Sequence, residues 1–180
     1  DVAAPYFSNQ IETARQVAMS LPDDYTLVVK DHPYMAGVRP PTYLEKLART
    51  VNVKLVDYRT SAEKLVKGAD IIIGPNGTTF AEADFYHKPT IQRENLGVTL
   101  ALPNVIPHTD MTTLTKKIKE VLDIDFHTDA YERKLENFVA AVYDTGFDVN
   151  YIGAWEKGDK EATQRLCDIY MEEMEKLIHA

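Results

Sequence analysis

The chain has 180 residues, 44% of them apolar, one cysteine and a formal net charge of −8. That size and apolar content suit one globular domain, or one domain with a helical appendage, and exclude a disordered chain. No apolar run approaches the ~20 residues of a membrane span, a single cysteine allows no internal disulfide, and no clustered Lys/Arg face offers a nucleic-acid footprint.

The charge is uneven. Residues 120–180 hold 15 acids and 6 bases, whereas residues 1–119 hold 13 acids and 14 bases. The acidic excess therefore belongs to the C-terminal region, and the near-neutral body leaves room for a local basic pocket. The N-terminus, DVAAPYFSNQ, has no basic segment leading into an apolar core and does not read as a signal peptide. It also lacks an initiator Met, as a piece of a longer protein would. The cysteine usage fits a reducing, cytoplasmic setting. Cys167 falls on a helical apolar stripe and is expected to be a buried structural thiol. The histidines and Cys167 form no metal-ligand spacing, so no metal is expected.

In chain order, Asn9–Leu21 reads as an amphipathic helix. Its apolar residues Ile11, Ala14, Ala18 and Leu21 fall at helical spacing, and Asn9-x-x-Glu12 can start it. Tyr25–Lys30 reads as a strand with a continuous apolar centre, suited to a covered parallel sheet. After a Gly/Pro loop, Thr42–Thr50 is a short helix with Pro41 at its start, and Val51–Val56 a second strand. Thr60-x-x-Glu63 is a capping box opening a helix that Gly68 closes. Ala69–Ile73 is a third strand, rich in β-branched residues. It runs into Gly74-Pro75-Asn76-Gly77, four strong turn formers, then into a helix over Thr78–Tyr86. Pro89–Gln92 and Ala101–Ile106 read as two further strands.

From Asp110 the pattern is helical. Met111–Leu122 forms one helix. Tyr131, Leu135, Phe138, Val139 and Val142 mark the apolar face of a second, and Leu166, Ile169, Tyr170, Met174, Leu177 and Ile178 that of a third. An irregular stretch, Thr145–Asp159, lies between the last two and contains Gly153 and Trp155. The reading is α/β: a Rossmann-like doubly wound parallel sheet over residues 1–109, with a helical C-terminal extension, 110–180, packed on it.

Ligands on such sheets bind beyond the carboxyl ends of the strands. That rule puts His32-Pro33, the loop Asp57–Thr60 and the Gly77 turn on one rim. A strand, glycine turn and helix start can hold a phosphate on free backbone N–H groups at Gly77, Thr78 and Thr79. His32 ends a strand, is stiffened by Pro33, and can donate to a phosphate or bond a neighbouring carbonyl in a turn. Lys30 shares its face. Arg39, in a Gly/Pro loop nearby, can clamp a phosphate or carboxylate in two-point fashion, or simply lie on the surface. Glu82 can take a ribose diol or tie back to the helix start as a cap. Asp84, Tyr86 and His87 have no assigned role. The chain holds no nucleophile elbow, no Walker lysine loop and no Gly-x-Gly-x-x-Gly after a strand, and no catalytic base is evident.

These residues carry a resemblance. Lys30-Asp31-His32-Pro33-Tyr34-Met35-Ala36-Gly37-Val38-Arg39-Pro40, Asn52–Val56, Ser61 with Leu65, Ala69-Asp70, Gly77-Thr78-Thr79 with Glu82-Ala83, and Lys88-Pro89 together resemble the bacterial capsule polysaccharide biosynthesis proteins. These are GT-B glycosyltransferases related to the Kdo transferases. The likeness covers about residues 5–92. It implies the C-terminal, nucleotide-sugar-binding half of a two-domain enzyme of surface polysaccharide assembly, with CMP-Kdo the donor of the nearest relatives.

By the same resemblance His32 and Pro33 face the donor's phosphate and nucleotide, Gly77 and Thr78 hold phosphate, and Glu82 is the ribose ligand. No metal or cofactor is implied. The acceptor, a glycan or glycolipid, and the general base belong to an N-terminal half preceding Asp1, as does the first strand of the donor half. The full-length protein would act in the cytoplasm, at the inner face of the membrane, and this piece alone is expected to be inactive. Pro75-Asn76, Phe80 and His87 depart from the family pattern. Other classes stay open: a GT-B-fold epimerase, a polyol-phosphate transferase, or a non-catalytic binding module.

Overall fold

The computed structural model describes residues 9–95, 97–150 and 158–179. The first residues of the resembling stretch, 5–8, and much of the irregular segment with Gly153 and Trp155 lie outside the described residues. The chain divides into two compact units, Asp1–Phe138 and Val139–Ala180.

The first unit alternates helices and strands. Helix α1 (Gln10–Ser20) is capped by Asn9, whose side-chain oxygen accepts the Glu12 N–H at 3.3 Å. The Glu12 carboxylate does not return to the cap, because Arg15 and Gln16 hold it. Strand β1 (Leu27–Lys30) is followed by a 3-10 turn, Pro33–Met35, and by α2 (Pro41–Ala48), with Pro41 in its first turn. Strand β2 (Val53–Val56) follows Asn52, which sits in the left-handed region at φ 61°. Helix α3 (Ala62–Gly68) is capped by Ser61, not by Thr60. Glu63 is drawn to Lys67 and to the Tyr86 hydroxyl and so closes no capping box.

Next come β3 (Ile72–Gly74), α4 (Thr79–Asp84), β4 (Thr90–Gln92), a 3-10 turn at Val98–Ala101, β5 (Val105–Pro107), α5 (Leu114–Leu122) and the start of α6 (Asp129–Thr145). The strands are shorter than the apolar runs that announce them, because pairing rather than composition sets their ends.

Among the described residues every strand pairing is parallel, as a βαβ alternation requires. Their strands form two sheets. β1 pairs with β2 in the register Leu27↔Val53 to Lys30↔Val56. β3, β4 and β5 form the other, with Ile73 opposite Ile91 and Ile91 opposite Ile106. Alternating side chains serve two cores. Ile71, Ile73, Ile91 and Ile106 pack with Val17 of α1 and with Leu114, Ile118 and Val121 of α5. Ile72 and Val105 turn the other way, onto Phe80 and Leu102. The three-stranded sheet is therefore covered on both faces, which makes this unit Rossmann-like. Each fully buried aliphatic side chain in these cores contributes roughly 1.5–3 kcal/mol.

Asn104 ties the first turn of α4 to β4. Its amide nitrogen lies 3.0–3.2 Å from Phe80 O, Lys88 O and Thr90 Oγ1 and shares its two protons among them.

The second unit holds the end of α6 and α7 (Lys160–Ile178), whose cap Asp159 accepts from the Glu161 and Ala162 N–H groups. Of the α7 stripe only Ile169 is buried; Tyr170, Met174, Leu177 and Ile178 are exposed. Cys167 is exposed as well, which corrects the expected buried thiol: the stripe is only partly covered. Among the described residues no helix is long and apolar enough to cross a membrane, and no group of three or more His, Cys, Asp or Glu could hold a metal.

Candidate functional site

A cavity of about 600 Å³ lies between β1 and β3. Its polar end is made by the residues just past the two strands. Lys30, Asp31 and His32 come from β1, and Asn76, Gly77 and Thr79 from the turn after β3. Leu27, Val28 and Ile71–Ile73 make its apolar length. Four of the eight expected site residues, Lys30, His32, Gly77 and Thr79, thus border one hollow. Pro33, Arg39, Thr78 and Glu82 do not line it.

His32 is exposed and caps the 3-10 turn, its Nδ1 accepting the Tyr34 N–H at 3.2 Å. That bond leaves Nδ1 without a proton, so neutral His32 carries its proton on Nε2 and can donate from there. The turn bond differs from the expected one: the ring accepts a backbone N–H and does not donate to a neighbouring carbonyl. Asp31 accepts the His32 N–H at 3.0 Å and fixes the backbone beneath the ring.

Arg39 is committed elsewhere. It pairs with Asp31 at 3.3 Å, donates to Gln10 Oε1 at 2.6 Å, and lies over the Tyr43 ring at 4.4 Å. Its side chain and that of Asp31 are both mostly buried. A guanidinium so engaged positions the rim through Asp31 instead of reaching into the hollow. Lys30 makes a long contact, 3.4 Å, to Asp31 O, and Lys64 borders the same hollow.

In the glycine turn, Asn76 Oδ1 takes the Gly77 N–H at 2.7 Å and the Thr99 hydroxyl at 3.1 Å. One of the expected phosphate donors is therefore spent on the turn itself. Helix α4 has six residues and no side-chain cap bond, so its dipole is a small contributor. The N–H groups of Thr78 and Thr79 belong to its first turn, where no intrahelical acceptor exists. Glu82 is exposed and makes no cap bond back to the helix start. The loop Asp57–Thr60 closes on itself. Arg59 holds the Asp57 carboxylate by side-chain and backbone bonds and lowers its pKa to about 2.

Several polar residues of this rim escape sequence reading. Thr99 donates to Gln92 Oε1 at 2.7 Å as well as to Asn76, and Gln92 Nε2 donates to Glu94 O at 2.9 Å. Gln92, Arg93 and Glu94 are all buried, and Glu94 Oε2 has no hydrogen-bond partner among the described residues. The available signal was a run of polar residues, Gln92-Arg93-Glu94, directly after an apolar strand. The residues without a role acquire structural ones. Asp84 is fully buried and accepts from the Tyr131 hydroxyl, while His87 pairs with Glu132 at 2.6 Å and stacks on His127.

No family model matches the chain, and no curated protein matches it. Among solved structures it is similar to the crystal structure of the glycotransferase of kitacinnamycin, with 15% identity and a TM-score of 0.41. The match covers 74% of this chain and 34% of that one, so the chain spans about a third of that protein's length.

Proposed function

We propose that the first unit is the nucleotide-sugar-binding half of a GT-B glycosyltransferase. The observation that carries this reading is the shared hollow: Lys30 and His32 face Gly77 and Thr79 across one cavity at the carboxyl ends of parallel strands. Glycosyl transfer from a nucleotide-sugar releases a phosphate-bearing leaving group. A lysine ammonium, an imidazole N–H and the Thr79 backbone N–H are donors for that charge, held in place before it develops. Pro33 and the Asp31–Arg39 pair hold His32 in place, and the Thr78 hydroxyl and the exposed Glu82 carboxylate border the turn where a ribose diol would lie.

The finer reading follows the resemblance: a CMP-linked donor, CMP-Kdo, used in capsule or surface polysaccharide assembly. The acceptor and the general base then come from a second half of the protein.

Titration of the chain with CMP, UDP and CMP-sugars, followed by amide NMR shifts, tests the reading. Shifts are expected at residues 30–32 and 77–82, with CMP compounds binding more tightly than UDP. Shifts confined to other surfaces, or none at millimolar nucleotide, refute it.

A further inference from the structure

His87 sits in the left-handed region at φ 52°, just past the end of α4. Glycine takes such a position without strain, whereas a histidine there needs compensation from its ring. The ring has it. Glu132, in the first turn of α6, lies 2.6 Å from His87 Nε2. His127, in the segment between α5 and α6, stacks on the ring at 4.5 Å between centroids, and Tyr131 of α6 meets it at 5.0 Å. Asp84, at the end of α4, has no exposed surface. One of its oxygens accepts from the Tyr131 hydroxyl; the other, Oδ2, has no hydrogen-bond partner among the described residues. Burial raises the Asp84 pKa, and the nearby His87 acts against that rise. The remaining carboxylate in the group is Asp125, which accepts the His127 N–H at 2.8 Å. Among the described residues neither Asp84 nor Glu132 forms an ion pair with a lysine or arginine, Lys88 included. A buried carboxylate with no cation is costly. His87 is placed to supply one, since histidine is the side chain that ordinarily changes charge between about pH 5 and 8.

We propose that Asp84, His87, His127, Tyr131 and Glu132 form a proton-operated clasp that fastens the start of α6 to the end of α4. A proton on His87 turns the Glu132 contact into a charge-assisted bond and sets a cation near Asp84. The proton belongs on His87 rather than on His127. Glu132 bonds the first ring, and two charged rings stacked at 4.5 Å would repel, so the pair holds one charge. Loss of that proton leaves two carboxylates, one of them buried, without a cation. A group that gains an anionic partner on folding contributes stability on the acid side of its titration and loses it as pH rises. The raised Asp84 pKa works in the same direction. The clasp is therefore tight in mild acid and slack in mild alkali. The apolar core that docks this stretch of α6 is small, built on Phe126, Tyr131 and Leu135 with Ile106, so a single charge is a sizeable share of the docking. The device is independent of any ligand the rim takes.

Amide hydrogen exchange of the full chain, corrected for the intrinsic pH dependence of exchange, tests this. Protection of the amides of residues 131–136, taken relative to residues 118–121 of α5, should fall about 10-fold between pH 5.5 and pH 8, the effect of one unit of differential proton affinity. In His87→Asn, whose side chain tolerates a left-handed backbone, protection should be low at both pH values. In Glu132→Gln the fall should shrink, and in His127→Asn it should persist. A flat profile in the unchanged chain overturns the clasp. An undiminished fall in His87→Asn overturns it too, as does loss of the fall in His127→Asn with His87 intact. Should His87→Asn not fold, Glu132→Gln decides in its place, and an unchanged fall there overturns the proposal.

Discussion

Tyr131→Phe removes a single oxygen from the place where α6 meets the end of α4. The hydroxyl donates to the Asp84 carboxylate and lies 2.9 Å from the Asp84 backbone oxygen. Asp84 has no exposed surface, and its Oδ2 already lacks a hydrogen-bond partner among the described residues. The phenyl ring keeps the packing with Phe126 and Leu135, so the loss is that of a buried hydrogen bond to a charged group, about 1.5–3 kcal/mol. Burial raises the Asp84 pKa and the tyrosine bond works against that rise, so the substitution pushes it higher still. A carboxyl whose folded pKa exceeds its unfolded value loses stability as pH climbs between the two. The penalty should therefore be full at pH 7 and smaller near pH 4, where Asp84 is closer to neutral. Urea unfolding of both proteins at the two pH values, with Asp84→Asn and the double variant completing a cycle, measures it. A loss below about 0.5 kcal/mol at pH 7, or full additivity with Asp84→Asn, refutes the coupling.

Gly97→Ala should destabilise by about 1–3 kcal/mol, since Gly97 sits at φ 101°, where an L side chain is strained. An added Cβ would also lie 2.8 Å from Asn76 Nδ2, so amide shifts should appear at Asn76 and Gly77. Carboxyl NMR should find Asp57 titrating near pH 2 and, in Arg59→Ala, at a higher pH that still lies below the ordinary aspartate range, because the backbone N–H of residue 59 goes on donating to the carboxylate. The charged form is the one Arg59 favours, so the interaction is present at neutral pH and lost as pH falls through the folded value. An unchanged titration in the variant would show that Arg59 is not its cause.

Much of the first unit is written in local signals. Turn formers and β-branched runs mark all five strands, and the Asn9 cap and Pro41 sit where helix-start rules put them. What local signals cannot carry is competition between partners. Glu63 forms a good capping box on paper, but Lys67 and Tyr86 are better placed to hold it. Arg39 reads as an open clamp until Gln10, 29 residues earlier in sequence, is seen to bond it. Gly77 reads as a free donor until the side chain of Asn76 turns back on it. Cys167 shows the same limit in another form, for a helical stripe states which residues share a face but not what covers it.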